Sequence, residues 1–201
     1  MTEAGKTGLR ALRVALWGAV LAAGLGVSWF FVAGGGAPRP PSVADQIGQG
    51  AYRLTTTSGE PFTQETLRGA PSLVFFGFTH CPDVCPTTLG DIADWQEIAG
   101  VEIRTFFITV DPERDTPEAL ADYVGWLPGA VGVTGTPEAL AEALDAFKII
   151  ASRRPLEGGD YTMDHSAYVM LFDREGRYNR IFSYQTDSAK AAESLRRIMG
   201  G

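Results

Sequence analysis

The chain has 201 residues, 45% hydrophobic and 20% charged, which is enough apolar material for a core and too much for a disordered chain. Lys and Arg number 17 against 24 Asp and Glu; with Lys6, Arg10, Arg13 and Glu3 set aside in the N-terminal arm, fourteen basic and twenty-three acidic residues leave the remainder at a net −9. That acidity argues against nucleic acid as a partner, and two cysteines with two histidines exclude a disulfide scaffold, a four-cysteine zinc site and a three-histidine centre.

Residues 14–36 carry no charge and include Leu16, Trp17, Val20, Leu21, Leu25, Trp29 and Phe30. A helix rises about 1.5 Å per residue, so about 20 such residues cross a hydrocarbon core of about 30 Å. Basic residues precede the run and the acidic part follows it, so the positive-inside rule keeps residues 1–13 in the cytoplasm and exports the rest. A cleaved signal peptide is the competing reading, but its apolar region is normally shorter, about 7–15 residues. A lipoprotein signal would need a cysteine at the junction, and none stands there. The short arm leaves no room for a mitochondrial transit peptide. The expectation is a single-pass anchor over residues 14–36 in a bacterial inner membrane. A proline-rich linker then covers residues 37–50, with Pro38, Pro40 and Pro41 stiffening it, and a periplasmic domain covers residues 51–201.

Within that domain, residues 52–55 alternate and run into a turn at Thr57-Ser58-Gly59-Glu60. Residues 72–79 (SLVFFGFT) form a continuous apolar run of strand length, as a buried central strand requires. Leu89, Ile92, Ala93, Trp95 and Ile98 predict a helix, and residues 101–110 (VEIRTFFITV) a second buried strand parallel to the first. Thr116-Pro117-Glu118 and Thr136-Pro137-Glu138 each supply an N-cap, a proline at the first helical position and a first-turn acid. Residues 166–172 form a third strong strand that turns through Asp173-Arg174-Glu175-Gly176 into residues 177–183. Residues 188–199 make an amphipathic closing helix. This order suits an α/β, thioredoxin-like domain with a central mixed sheet and an insertion before the last hairpin.

Both cysteines lie in Thr79-His80-Cys81-Pro82-Asp83-Val84-Cys85-Pro86, between the carboxyl end of a buried strand and the start of a helix. Ligands bind at this edge of an open parallel sheet, and a helix N-terminus favours the thiolate. The C-x-x-x-C spacing sets the two sulfurs one helical turn apart. Soft thiolates select Cu(I), zinc or an iron–sulfur cluster, and a four-cysteine cluster is impossible within one chain. A structural disulfide is the plainer reading in an oxidising compartment, although a loop this short gains little from closure. A third ligand could come from His80, expected to point to the other face, or from His165, which taken alone reads as a core or capping histidine. Met163 and Met170 are soft atoms too, with Met170 expected in the core. The segment Asp111-Pro112-Glu113-Arg114-Asp115 follows the second strand at the same edge. It reads equally as a device that orients the site or docks a partner and as a solvated turn with an Asp–Arg pair. Asp164 could orient His165, although neighbours in a strand point apart.

Gly77-Phe78-Thr79-His80-Cys81-Pro82-Asp83-Val84-Cys85-Pro86, Val110-Asp111-Pro112-Glu113-Arg114-Asp115-Thr116-Pro117 and Asp164-His165-Ser166 together resemble the Sco/SenC family. That family consists of membrane-anchored copper proteins needed to assemble the dinuclear copper A centre of cytochrome c oxidase. The resemblance spans the chain, anchor included, and implies a thioredoxin-like fold binding one copper through Cys81, Cys85 and His165. It further implies the copper A domain of cytochrome c oxidase subunit II as acceptor, with a periplasmic copper donor and a periplasmic thiol reductant as partners. The main alternative is a membrane-tethered thiol–disulfide oxidoreductase that uses the same two thiols on oxidase or regulator cysteines.

Overall fold

A computed structural model describes residues 3–32 and 42–200. The chain falls into two units, Met1–Pro40 and Pro41–Gly201. The first is helix α1 (Glu3–Val32), whose stretch Leu12–Phe30 is long and apolar enough to cross a membrane. Residues 33–36, expected as the end of the anchor, and residues 37–41, expected as the stiff part of the linker, lie outside the described residues.

The second unit begins with a short helix, α2 (Val43–Gln46), capped by the Ser42 side chain on the Asp45 amide. Gly48 follows at a φ of 76°, and a Cβ there would come within 2.8 Å of the Phe172 ring, so only glycine combines this turn with this approach. Residues 42–50 therefore pack with the globular unit ahead of residue 51.

The remaining elements are β1 (Leu54–Thr56), β2 (Pro61–Phe62), β3 (Ser72–Gly77), α3 (Val84–Ala99), β4 (Arg104–Thr109), α4 (Pro117–Val124), β5 (Ala130–Thr134), α5 (Pro137–Phe147), β6 (Ala151–Pro155), β7 (Tyr161–His165), β8 (Tyr168–Phe172), β9 (Tyr178–Ser183) and α6 (Ser188–Met199). The main sheet runs β2-β1-β5-β4-β3-β8-β9. β3, β4 and β5 are parallel, and the flanking pairs are antiparallel, giving the expected mixed sheet. Every residue of β3 is buried, as its unbroken apolar run requires.

Alternation along β3 sends side chains to both faces. Phe75 meets Phe107 of β4 at 5.7 Å between ring centroids, on the face that α3 covers through Cys85. Phe76 meets Phe147 of α5 at 5.2 Å on the other. Trp95 of α3 packs on Phe182 of β9 at 4.9 Å, and α3 lies against α6. Helices α4 and α5 start as their sequences predict, with the Thr116 and Thr136 hydroxyls accepting from the Ala119 and Ala139 amides and proline at the first position.

Two elements depart from the sequence expectation. β5 adds a third parallel strand that residues 130–134 do not announce. The insertion before the last hairpin is itself a hairpin, β6–β7, which forms a separate two-stranded sheet. His165 is the last residue of β7.

Candidate metal centre

β3 ends at Gly77, and its exit loop carries Cys81 into α3. The N-cap of α3, Asp83, makes no side-chain cap bond. The Cys85 amide instead donates to Cys81 Sγ at 3.3 Å, so a sulfur takes up one of the free amides of the first turn. The cysteines are unbridged, Cys81 half-buried and Cys85 fully buried. Cys85 sits against Gly77: a Cβ at residue 77 would lie 2.9 Å from Cys85 Sγ and 2.7 Å from the Phe107 ring. The absence of a side chain at the end of the central strand makes the room for this sulfur.

The two thiols differ sharply. Cys81 is pulled down to a pKa of about 4, chiefly because the Cys85 thiol donates to it. Burial opposes the shift, and the Cys85 and Asp83 amides assist it. Cys85 is pushed up, because it is the donor in that pair and is buried, with the negative charges of Cys81 and Asp115 nearby. At neutral pH the pair is one thiolate, Cys81, beside one thiol, Cys85.

β8 pairs with β3 antiparallel, which brings the end of β7 to the cysteine edge. His165 Nε2 lies 3.7 Å from Cys85 Sγ. Its other ring nitrogen, Nδ1, is 3.1 Å from the Ser166 carbonyl oxygen. A carbonyl only accepts, so Nδ1 carries the proton and Nε2 presents its lone pair to the sulfurs. The imidazole stands edge-to-face to Phe78 at 5.8 Å and to Phe75 at 6.5 Å, and opens on its outer side to a cleft of about 290 Å³ lined by Ile150, Ser152, Asp164 and Ser166. The fold thus gathers all three residues expected as ligands. Among the described residues no group of three or more His, Cys, Asp or Glu side chains is spaced as a ready metal cage. The case for an ion therefore rests on the chemistry of two sulfurs and one imidazole.

The other candidates go elsewhere. His80 Nδ1 lies 3.0 Å from the Thr79 hydroxyl and 3.6 Å from Asp115, with the side chain half exposed. Asp164 does not orient His165: its carboxylate is held by Arg154 Nε at 3.1 and 3.2 Å across the hairpin, and the Ser166 carbonyl takes that role. Strand alternation sends Asp164 outward and His165 inward. Met170 is core, and Met163 packs partly buried against the core.

The segment from Asp111 to Asp115 is no solvated turn, since both carboxylates are buried. Asp115 accepts from the Thr79 amide at 3.0 Å, the Thr79 hydroxyl at 2.5 Å and the Thr109 hydroxyl at 2.6 Å, which ties the cysteine loop to the end of β4. Asp111 accepts from Arg114 Nε at 2.5 Å and from the Tyr161 hydroxyl at 2.8 Å, which ties the same segment to β7. Sequence reading missed Tyr161, and also Tyr123, whose hydroxyl is buried without a hydrogen-bond partner among the described residues. Burial pushes the Tyr123 phenol up, reinforced by the negative charges of Cys81 and Asp115. Neither tyrosine belongs to a local motif; each acts across long sequence separations.

Residues 41–200 match the family model described as SCO1/SenC. A SCO2-like protein of Rickettsia prowazekii is 41% identical over 152 residues, covering 73% of this chain and 74% of that protein. Among solved structures, Bradyrhizobium japonicum ScoI with copper bound is 39% identical with a TM-score of 0.69, over 76% of this chain and 99% of the other. Yeast Sco1 with copper bound is 30% identical with a TM-score of 0.68, over 76% and 87%. With the cysteine pair and histidine gathered at the end of a mixed sheet, and with this match over most of its length, the chain belongs to the SCO1/SenC family.

Proposed function

We propose that this protein is a membrane-anchored metallochaperone that carries copper as cargo on Cys81, Cys85 and His165. In this reading it delivers the ion to the copper A site of cytochrome c oxidase subunit II. Residues 14–36 hold it in a bacterial inner membrane, and the globular unit works on the periplasmic side, spaced from the bilayer by the proline-rich stretch that starts at residue 37. A periplasmic donor supplies the ion and a periplasmic thiol reductant keeps the cysteines reduced. Copper-bound relatives and the positive-inside charge pattern support this reading.

The observation that carries it is the His165 Nε2 lone pair facing Cys85 Sγ at 3.7 Å. Nitrogen and sulfur ligands bound to one ion at about 2.0 and 2.3 Å, about 110–120° apart, lie about 3.5–3.7 Å from each other. Two thiolates hold Cu(I), and the neutral imidazole adds what Cu(II) needs. A site of so few ligands can surrender its ion to a richer acceptor. The test is metal analysis and optical spectroscopy, wild type against His165→Ala, followed by transfer to an apo copper A domain. Thiolate-to-Cu(II) bands that change with the mutation support the ligand set, and failure to metallate the acceptor overturns delivery.

The contrast between a half-buried Cys81 thiolate and a buried Cys85 thiol favours a second reading, a thiol–disulfide oxidoreductase with attacking and resolving cysteines. His165→Ala separates the two: it cripples Cu(II) binding and leaves dithiol exchange largely intact.

A further inference from the structure

Among the described residues, the β6–β7 hairpin pairs with no strand of the main sheet. At its base the Ser166 amide donates to the Ile150 carbonyl and the Ile150 amide to the Ser166 hydroxyl. Alternation along β7 puts Tyr161, Met163 and His165 on one face, and the register places Arg153 of β6 opposite Met163 on that same face. Tyr161 and His165 are four residues apart, about 13 Å along the strand.

Tyr161 is gripped. The guanidinium carbon of Arg114 lies 3.7 Å from its ring centroid and that of Arg153 3.9 Å. Two guanidiniums this close to one centroid can only lie on opposite faces. Arg114 is mostly buried and donates to Asp111, to the Tyr161 carbonyl at 3.0 Å and to Asp160 at 3.3 Å; its Nη2 is buried with no hydrogen-bond partner. Arg153 is paired with Glu113 at 2.6 Å. The Tyr161 hydroxyl donates to buried Asp111. Every group on the body side of this clamp comes from residues 111–114, the segment whose next residue, Asp115, holds the cysteine loop through Thr79.

We propose that Tyr161 is a positioning residue. Held between Arg114 and Arg153 and bonded to Asp111, it fixes the hairpin to the loop that also anchors the cysteines, and so sets His165 in register with the sulfurs. The inference rests on the ligand reading above. The hairpin has no sheet pairing of its own to the body, so the register of nitrogen and sulfur is supplied by this clamp, by Met163 packing and by the hairpin base.

The consequence is selective. The sulfur pair keeps its place without the clamp whereas the imidazole does not, so losing the clamp removes the share of copper affinity that His165 supplies and no more. The test uses the full chain in detergent, with Tyr161→Ala and Tyr161→Phe, which keeps the stacked ring and loses only the hydroxyl. Tyr161→Ala is expected to lower Cu(II) affinity by about ten- to a hundredfold, the usual cost of losing a group that orients a metal ligand. Tyr161→Phe should fall between, and Tyr161→Ala should add little to the loss already made by His165→Ala. Without any metal, amide hydrogen exchange of Tyr161→Ala should accelerate across β6–β7 and stay unchanged in β3 and β4. Equal Cu(II) affinity in wild type and Tyr161→Ala, or a full further loss when Tyr161→Ala is combined with His165→Ala, overturns the proposal. If the wild type itself shows no thiolate-to-Cu(II) band, the ligand reading falls. The hydrogen exchange then still decides the clamp: unaltered exchange in the hairpin refutes it, and local acceleration upholds it.

Discussion

Adding one methyl group at Gly77 tests the packing behind the sulfur pair. A Cβ at this position would stand 2.9 Å from Cys85 Sγ and 2.7 and 2.9 Å from two atoms of the Phe107 ring. Carbon contacts are relaxed at about 3.5 Å, so in Gly77→Ala the sulfur must retreat by about 0.6 Å and the ring by about 0.8 Å. Neither has free space: Phe107 and Cys85 are completely buried, and Phe107 is packed by Phe75 at 5.7 Å and Tyr123 at 5.4 Å. The backbone at Gly77 is ordinary strand, so the whole effect is steric. Overpacking of this kind costs about 1–3 kcal/mol. At about 2–4 °C per kcal/mol for a domain of this size, the melting temperature should fall by about 2–12 °C. Circular dichroism melts of the reduced protein measure it. Because the displaced atom is a proposed ligand 3.7 Å from His165 Nε2, the Cu(II) spectrum should change in the same variant. A melting temperature within about 1 °C of wild type together with an unaltered spectrum would refute the argument that residue 77 is glycine to make room for Cys85.

Other outcomes follow from the same geometry. Cys81 should react with iodoacetamide at a rate nearly flat from about pH 6 to 8, because its depressed pKa keeps it thiolate there; an ordinary thiol climbs about tenfold per pH unit, and observing that climb would contradict the assignment. The stability this thiolate contributes is complete above the unfolded thiol's pKa and is lost as pH falls toward about 4, which acid unfolding of wild type against Cys81→Ala would show. Asp115→Ala strands the Thr79 amide and the Thr79 and Thr109 hydroxyls and should cost about 2–4 kcal/mol in urea unfolding, with Asp115→Asn recovering part; a loss under about 1 kcal/mol would argue against the anchor. Thr116→Ala and Thr136→Ala should each cost about 1 kcal/mol and add in the double variant, since each cap serves a different helix. Protein oxidised with diamide should take up no copper until a thiol reductant is added, because the ligands must be thiolates; full loading without reductant would contradict the need for one.

What could be read from residue order alone was what residue order alone determines. The β3 and β4 runs are buried on both sides, so consecutive positions are apolar (Leu73 to Phe76, and Phe106 to Ile108) and the strands are unmistakable. α4, α5 and α6 carry their start signals within four residues. β5 is short, contains Gly132 and buries only two of its residues, so it offers neither an apolar run nor an alternation. The β6 strand, with Ser152, Arg153 and Arg154 exposed, has no apolar face to detect. The cysteines were legible from their spacing and from their place between strand and helix. His165 became credible once the strand that follows it, β8, was set beside β3. Tyr161 and Arg114 were not legible as a pair, because 47 positions separate them and only the folded hairpin brings the ring under the guanidinium. Asp164 falls away for the reason its position already gave, that adjacency in sequence is not adjacency in space on a pleated strand.

The proton of the His165 ring rests on a main-chain oxygen. Any of the twenty amino acids at position 166 presents the same acceptor, so genetic drift at that codon leaves the tautomer untouched. A carboxylate in its place would have been a single mutation from loss. By leaving this task to the polypeptide itself, the fold exempts the choice of tautomer from the usual hazards of side-chain replacement, and the residues that hold the hairpin become the vulnerable ones.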